Sequence, residues 1–163
     1  MQTAMIQRLS GSAAIAGGAL RIANIFTRHM LDAHALGLTY LVTDVFLLLG
    51  LTGWYGSRAE KLGMSGVIGF AAAVIGILII RSADLFPGYG YPLGAGALLA
   101  GLVIMSIPTL TRRDASIVAP GLWLLSFLCA LASIAIAPLA IVSAALFGAG
   151  FICAGLHLMR RAP

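Results

Sequence analysis

The sequence predicts an all-α integral membrane protein, built as a bundle of six transmembrane helices. Of its 163 residues, 61% are hydrophobic and 9% are charged, whereas a soluble domain carries about 25% charged residues. Charges at this density cannot cover a water-facing surface. Apolar runs of about 20 residues, the length that crosses a bilayer, recur six times along the chain. We therefore expect a single transmembrane domain over residues 1–163.

The first apolar run, residues 9–27, is superficially similar to a cleaved signal peptide, because Arg8 precedes it and small residues follow. Its first half is mostly Gly, Ala and Ser, which makes it weakly apolar and thin. Arg21 lies within the run and needs a partner farther along the chain. We therefore expect a retained helix that packs inside protein, since small residues let transmembrane helices approach closely.

Asp44 lies within the second run, residues 35–55, and is the predicted partner of Arg21. At about 1.5 Å per residue, the two groups lie about 9 Å and about 13–14 Å from the same end of an antiparallel hairpin. Each side chain leans toward the N-terminus of its own helix, which closes the difference in height. Asn24 and Tyr40, each one turn away, add polar groups to the same stripe.

Two roles are open to this ion pair. It can lock two helices together, or it can line a path for a solute or for protons, because ionisable residues inside a membrane are commonly functional. A single matched pair with no chain of polar residues behind it favours the lock.

The third predicted helix, residues 64–84, ends in Arg81 and Asp84, which are neighbours on one helical face. Arg81 is a rival partner for Asp44. Its place near the helix end favours instead a side chain that extends to the interface and pairs locally with Asp84.

The fourth predicted helix covers residues 91–110. The loop before it is rich in turn-forming and aromatic residues. Phe86, Tyr89 and Tyr91 suit the headgroup layer. They suit a docking surface equally well, because Tyr and Phe are enriched in the cores of protein interfaces.

The last apolar stretch is twice the length that a bilayer needs, so it must fold back on itself. Pro138 is the predicted turning point, which places the fifth helix at residues 117–137 and the sixth at residues 139–159. The turn has no polar residue, so we expect it in the membrane interface or beneath another chain, with Pro138 as a candidate docking residue.

Aromatic residues at two inner helix ends, Trp54 and Trp123, are expected to anchor those ends at the interface. Cys129 and Cys153 lie in apolar runs at different depths, so we expect two packing residues rather than a disulfide.

Basic residues mark one side of the predicted bundle. Seven of the ten lysine and arginine residues fall there: Arg8, Arg58, Lys61, Arg112, Arg113, Arg160 and Arg161. The positive-inside rule places that side, with both termini, in the cytoplasm, and we expect the inner membrane of a bacterium. Gly50, Gly101 and Gly150, near the middles of the even-numbered helices, suggest three copies of one hairpin.

Motifs for catalysis are missing. The sequence has no phosphate-binding loop, serine elbow, zinc-protease motif or redox cysteine pair, and we expect no metal and no cofactor. His29, Asp32 and His34 match no metal-ligand spacing and favour a solvated loop. The net charge of +5 does not indicate nucleic-acid binding, because the basic residues lie at helix ends rather than on one face.

The thin helices, short loops and apolar turn favour a non-enzymatic accessory or structural subunit that packs against other transmembrane subunits, or against copies of itself, in the lipid bilayer. The alternative is a small-solute or proton-coupled transporter or channel that uses Asp44 and Arg21. An intramembrane enzyme ranks last, because only these two residues and Arg81 converge and none is a nucleophile.

Overall fold

Six α-helices make up the fold in a computed structural model that describes residues 2–83, 88–111 and 117–161. No strand occurs within those ranges. The helices are α1 (Gln2–Thr27), α2 (Ala33–Gly56), α3 (Ala59–Arg81), α4 (Gly90–Thr111), α5 (Val118–Ala132) and α6 (Leu139–Arg161).

Five of these helices are long and apolar enough to cross a membrane, and only α5 is shorter. Large apolar side chains cover their outer surfaces, as on α2, where Leu38, Leu41, Val45 and Leu49 are about half exposed. Lipid can cover such surfaces and water cannot. The chain is therefore a multi-pass helical membrane protein, as its composition predicts.

Helix α5 ends at Ala132, five residues before the predicted end at residue 137. With 15 residues it is about 22 Å long, shorter than the roughly 30 Å of hydrocarbon in a bilayer. Pro138 lies well beyond this end, so the helix stops before the proline is reached. The N–H groups of Ile134 and Ala135 donate hydrogen bonds to the carbonyls of the residues three positions earlier, so the chain leaves the helix in a tight turn.

Helix α3 begins five residues earlier than predicted, at Ala59, and only Ser57 and Arg58 separate it from α2. Gly63 breaks its first turn from the rest, with φ 59° and ψ −151°. L-residues with a side chain rarely adopt a positive φ, so a glycine is suited to this bend. The longer part of α3 therefore starts after this bend, at Met64, where the apolar run begins.

The helices pack mainly with their neighbours in the chain, and α6 closes the bundle against α1. Contact between α2 and α3 is sparse, although they are consecutive. The backbones of α1 and α4 do not approach each other within the described ranges. The bundle therefore holds α3 and α4 as one tight pair beside a group formed by α1, α2 and α6, and α5 packs against both α4 and α6 and connects the two.

Glycines seven residues apart make the two tightest helix pairs. Gly11 and Gly18 of α1 meet Gly155 and Gly148 of α6, and Gly69 and Gly76 of α3 meet Gly101 and Gly94 of α4. A Cβ at any of these eight positions would lie less than 3.0 Å from a backbone oxygen of the partner helix. These small-residue faces thus make contacts within the chain.

Serines join α5 to α6 in a reciprocal manner. The Oγ of Ser126 donates to the carbonyl of Ser143, and the Oγ of Ser143 donates to the carbonyl of Ser126, each at 2.9 Å. Both residues are buried. Cys129 and Cys153 are free thiols on the same two helices, as expected.

Candidate functional site

The strongest polar contact inside the apolar region joins α2 to α3. Nε of Arg81 donates to Oδ2 of Asp44 at 2.5 Å, and 32% and 18% of the two side chains are exposed. Arg21, the predicted partner of Asp44, does not form this salt bridge, and the rival Arg81 does. Arg81 is the last residue of α3, and its side chain leans back toward the N-terminus of that helix, which carries it into the bundle.

Arg21 reaches across to α4 instead. Its Nη2 donates to the hydroxyl of Tyr91 at 3.4 Å, and its Cζ lies 6.0 Å from the ring centre of Phe147 on α6. In the part of the chain that the structure describes, no carboxylate lies within 4.0 Å of Arg21. Arg21 is still near enough to interact electrostatically with Asp44.

Five residues therefore form what we call the charged cluster: Arg21, Tyr40, Asp44, Arg81 and Tyr91. Tyr40 belongs to it because its ring lies 6.0 Å from Cζ of Arg81. The cluster spans α1 to α4 and bridges two gaps, between α2 and α3 and between α1 and α4, where the helix backbones pack sparsely or not at all. At this level, side chains rather than packed backbones thus connect α2 to α3 and α1 to α4, whereas α5 joins the two helix groups through its packing against α4 and α6.

Asn24 lies beside the cluster but has its own partner. Its Nδ2 donates to the hydroxyl of Thr43 at 3.1 Å, and both side chains are buried. The sequence placed Asn24 on the polar stripe but did not identify Thr43. The bond ties α1 to α2 one turn from the charged residues.

Aromatic rings connect the charged cluster to the opposite end of the bundle. We call this row the aromatic ladder; it runs through Arg58, Trp54, Trp123, Phe151, Phe147 and Arg21. Cζ of Arg58 lies 3.4 Å from the ring centre of Trp54. Successive ring centres from Trp54 to Phe147 are 5.1–5.5 Å apart, within the range for favourable aromatic pairs.

Trp54 and Trp123, which were predicted to anchor helix ends at the interface, have side chains that face the protein interior, since they are only 2% and 0% exposed. Arg58, one of the basic residues expected on the cytoplasmic side, is 3% exposed. The short connection between α2 and α3 brings Arg58 over Trp54, so the cation covers the indole that would otherwise meet the headgroups. Sequence reasoning missed this arrangement because hydropathy does not distinguish an aromatic belt from a buried ring near a helix end.

The candidate docking residues have different environments. Tyr89 and Tyr91 are 80% and 52% exposed, although Tyr91 also takes part in the charged cluster. Pro138 is exposed, and its neighbour Ile134 is 88% exposed. Asp84 and Phe86 lie outside the described residues, so the predicted pair between Arg81 and Asp84 has no structural outcome.

The loop between α1 and α2 is exposed and serves local structure. Oδ1 of Asp32 accepts a hydrogen bond from the backbone N–H of Ala35 at 2.7 Å and so caps α2. Nε of Arg28 donates to Nε2 of His29 at 3.0 Å. Among the described residues, no group of three His, Cys, Asp or Glu side chains is arranged to hold a metal ion.

Comparison with known proteins gives no match: no family model fits the chain, and no curated protein or solved structure is similar to it.

Proposed function

We propose that this membrane protein is a small-solute or proton-coupled carrier, with the charged cluster as its binding site. The observation that carries the proposal is the position of the cluster. It lies where α2 and α3 pack sparsely and the backbones of α1 and α4 do not meet, so that charged and phenolic side chains make the contacts there. A solute that exchanged contacts with these side chains would change how the two groups are held together, which is the basis of alternating access.

The aromatic ladder supports a carrier over a continuously open channel. The Trp54, Trp123 and Phe151 side chains are at most 2% exposed, so they fill the core between the charged cluster and the other end of the bundle. Solute that enters at the cluster can pass only when these rings move, which links passage to a conformational change.

The test is swelling of liposomes that contain the purified protein, followed by light scattering, with glycerol, alanine and potassium acetate as solutes of different charge. We expect Asp44→Asn to abolish the protein-dependent entry of the transported solute. Asp32→Asn is the matched control, because it removes a carboxylate outside the membrane and Asn caps a helix as well as Asp does. Entry that is the same for wild type and Asp44→Asn would contradict the proposal.

We further infer the orientation and the number of membrane passes. All six helices would cross the bilayer. Because α5 is short, the loops that connect it would lie partly within the bilayer. Both termini would lie in the cytoplasm of a bacterium by the positive-inside rule. Gly50, Gly101 and Gly150 each contact the preceding helix, α1, α3 and α5, which supports three related hairpins. Single cysteines placed at His29 and Lys61 should react with an impermeant thiol reagent from opposite sides of the membrane.

A second candidate function is an accessory subunit of a larger membrane complex. The turn between α5 and α6 favours it, because Ile134 and Ile136 are 88% and 56% exposed and no polar residue accompanies them after Ser133. Water-facing turns rarely have this composition, and a second transmembrane chain can cover it.

The subunit hypothesis is tested by mild extraction of the tagged protein from its native membrane, with particle mass and co-purifying chains as the readouts. It predicts a fixed-ratio partner that Ile134→Ser releases, while Ile68→Ser, an exposed apolar position on α3, retains it. A lone protomer from that extraction would remove this candidate and leave the carrier.

A further inference from the structure

The charge balance of the charged cluster is uneven among the described residues. Arg81 is neutralised by Asp44. Arg21 contacts a neutral hydroxyl and the face of an aromatic ring, and neither contact cancels its charge. The cluster thus contains two guanidinium groups and one carboxylate.

The depth of Arg21 makes this imbalance costly. Arg21 lies six residues before the end of α1 at Thr27, which is about 9 Å inside that end at about 1.5 Å per residue. A charge within the hydrocarbon that has no direct counter-charge is costly on insertion scales. A counter-charge at this position would therefore be strongly favoured.

Hydrogen-bond donors of Arg21, Arg81 and Tyr91 also remain available for a ligand in the charged cluster. A guanidinium carries five N–H groups. Within the described ranges, each of these two guanidinium groups donates through one nitrogen only, Arg21 through Nη2 and Arg81 through Nε. The hydroxyl of Tyr91 accepts from Arg21 and keeps its own proton to donate. Tyr91 and Arg81 are partly exposed, so a ligand can reach them.

We propose that Arg21, Arg81 and Tyr91 form a binding site for an oxyanion, that is, a carboxylate or phosphate group. Planar guanidinium groups match the paired oxygens of these groups and bind them with two parallel hydrogen bonds. The inference rests on the proposed carrier function and names its solute as an organic or inorganic anion. A phospholipid headgroup presents the same chemistry, so the test separates the two sources.

The experiment measures the thermal unfolding midpoint of the protein in phosphatidylcholine nanodiscs during titration with potassium phosphate or potassium acetate. Potassium chloride at equal ionic strength corrects for screening. Nanodiscs that contain phosphatidylglycerol supply the anion as a headgroup. We expect saturable stabilisation of the wild-type protein by one of the oxyanions or by the anionic lipid.

Arg21→Gln should weaken the apparent affinity for that anion at least about tenfold, the loss expected when a charge-assisted hydrogen bond is removed. Arg28→Gln is the matched control, because Arg28 is exposed in the adjoining loop. Arg21→Lys should restore part of the affinity, since it keeps the charge and loses the fork geometry. If the thermal unfolding midpoint of Arg21→Gln without anion equals or exceeds that of wild type, the loss of anion affinity does not come from misfolding.

The outcomes separate this inference from the carrier function. Equal anion responses in Arg21→Gln and Arg28→Gln, or no response in the wild type, would overturn the oxyanion site, while Asp44-dependent entry of glycerol or alanine would still support a carrier. A response to phosphatidylglycerol alone would support the oxyanion site and assign it to lipid. Anion binding without entry of any solute would support the site and overturn the carrier.

Discussion

Asp44 and Arg81 illustrate how a single charged residue in a membrane depends on its partner. Each side chain is mostly removed from solvent, and each would be costly there alone. Their mutual contact also provides the main polar tie between α2 and α3, which otherwise pack sparsely. Stability and helix arrangement at this point therefore depend on the pair rather than on either residue.

A double-mutant cycle checks this dependence. Asp44→Leu and Arg81→Met alone should each lower the free energy of unfolding by about 2–3 kcal/mol, because each leaves one charge uncompensated. The double variant should lie within about 1 kcal/mol of wild type, since apolar replacement of a buried pair is often neutral. Unfolding of the protein in mild detergent measures all four free energies, and additive losses would show that the two residues act independently.

The hydrogen bond between Asn24 and Thr43 gives a second prediction for a single residue. Thr43→Val should lower the free energy of unfolding by about 0.6 kcal/mol, and by at most about 1.7 kcal/mol, the range for side-chain hydrogen bonds between membrane helices. Thr52→Val on the same helix is the control, because both hydroxyls donate to the carbonyl four residues back but only Thr43 also accepts from Asn24. Equal effects of the two substitutions would rule out a contribution from the Asn24 bond.

The polar residues could be found from sequence, but their partners could not. Arg21 and Asp44 stand out because a charge in an apolar run is rare. The choice of Arg81 over Arg21 depends on how far the end of α3 lies from α2, which a one-dimensional pattern does not contain. Thr43 resembles other threonines whose hydroxyls bond to their own helix, such as Thr39, so nothing in the sequence singles it out.

Among the helices, glycine spacing decides which surfaces touch. On both tight pairs the glycines recur every seven residues and meet in antiparallel order, so each helix backbone lies directly against the other. The small faces were evident from the sequence. Their partners were not, because four helices carry the same spacing and any two of them could pair on that pattern alone.

Gly94 and Gly96 on α4 provide a matched test of this packing. A Cβ on Gly94 would lie 2.7 Å from the carbonyl oxygen of Gly76, whereas a Cβ on Gly96 would meet no atom within 4 Å. Gly94→Ala should lower the free energy of unfolding by about 1–3 kcal/mol through overpacking. Gly96→Ala should be neutral or raise it by up to about 1 kcal/mol, because alanine favours a helix. Similar losses in both variants would refute close α3–α4 packing.

Across the whole molecule, the aromatic ladder connects the charged cluster to the basic end of the bundle. The fold class, the number of helices and most helix ends followed from hydropathy, proline and glycine. The ladder did not, because it depends on rings from α2, α5 and α6 that approach one another only after the bundle closes.

Tryptophan fluorescence checks the ladder directly. The chain has two tryptophans, and both are buried. We expect blue-shifted emission that neither aqueous iodide nor brominated lipid quenches strongly. Interfacial tryptophans would be quenched by both agents. Trp123→Phe should leave the shape of the remaining emission unchanged, since Trp54 lies in the same core.

The contact between α1 and α6 can form only after α6 has been synthesised. Of the described helices, α1 leaves the ribosome first; it is the least apolar of the five long ones, and it carries Arg21. The glycine face that suits α1 belongs to α6, which is synthesised after the other described helices. Between those two events, α1 must reside in the membrane with Gly11 and Gly18 uncovered, because both meet α6. A nascent chain stalled before α6 should therefore be a substrate for membrane proteases, and completion of α6 should end that vulnerability.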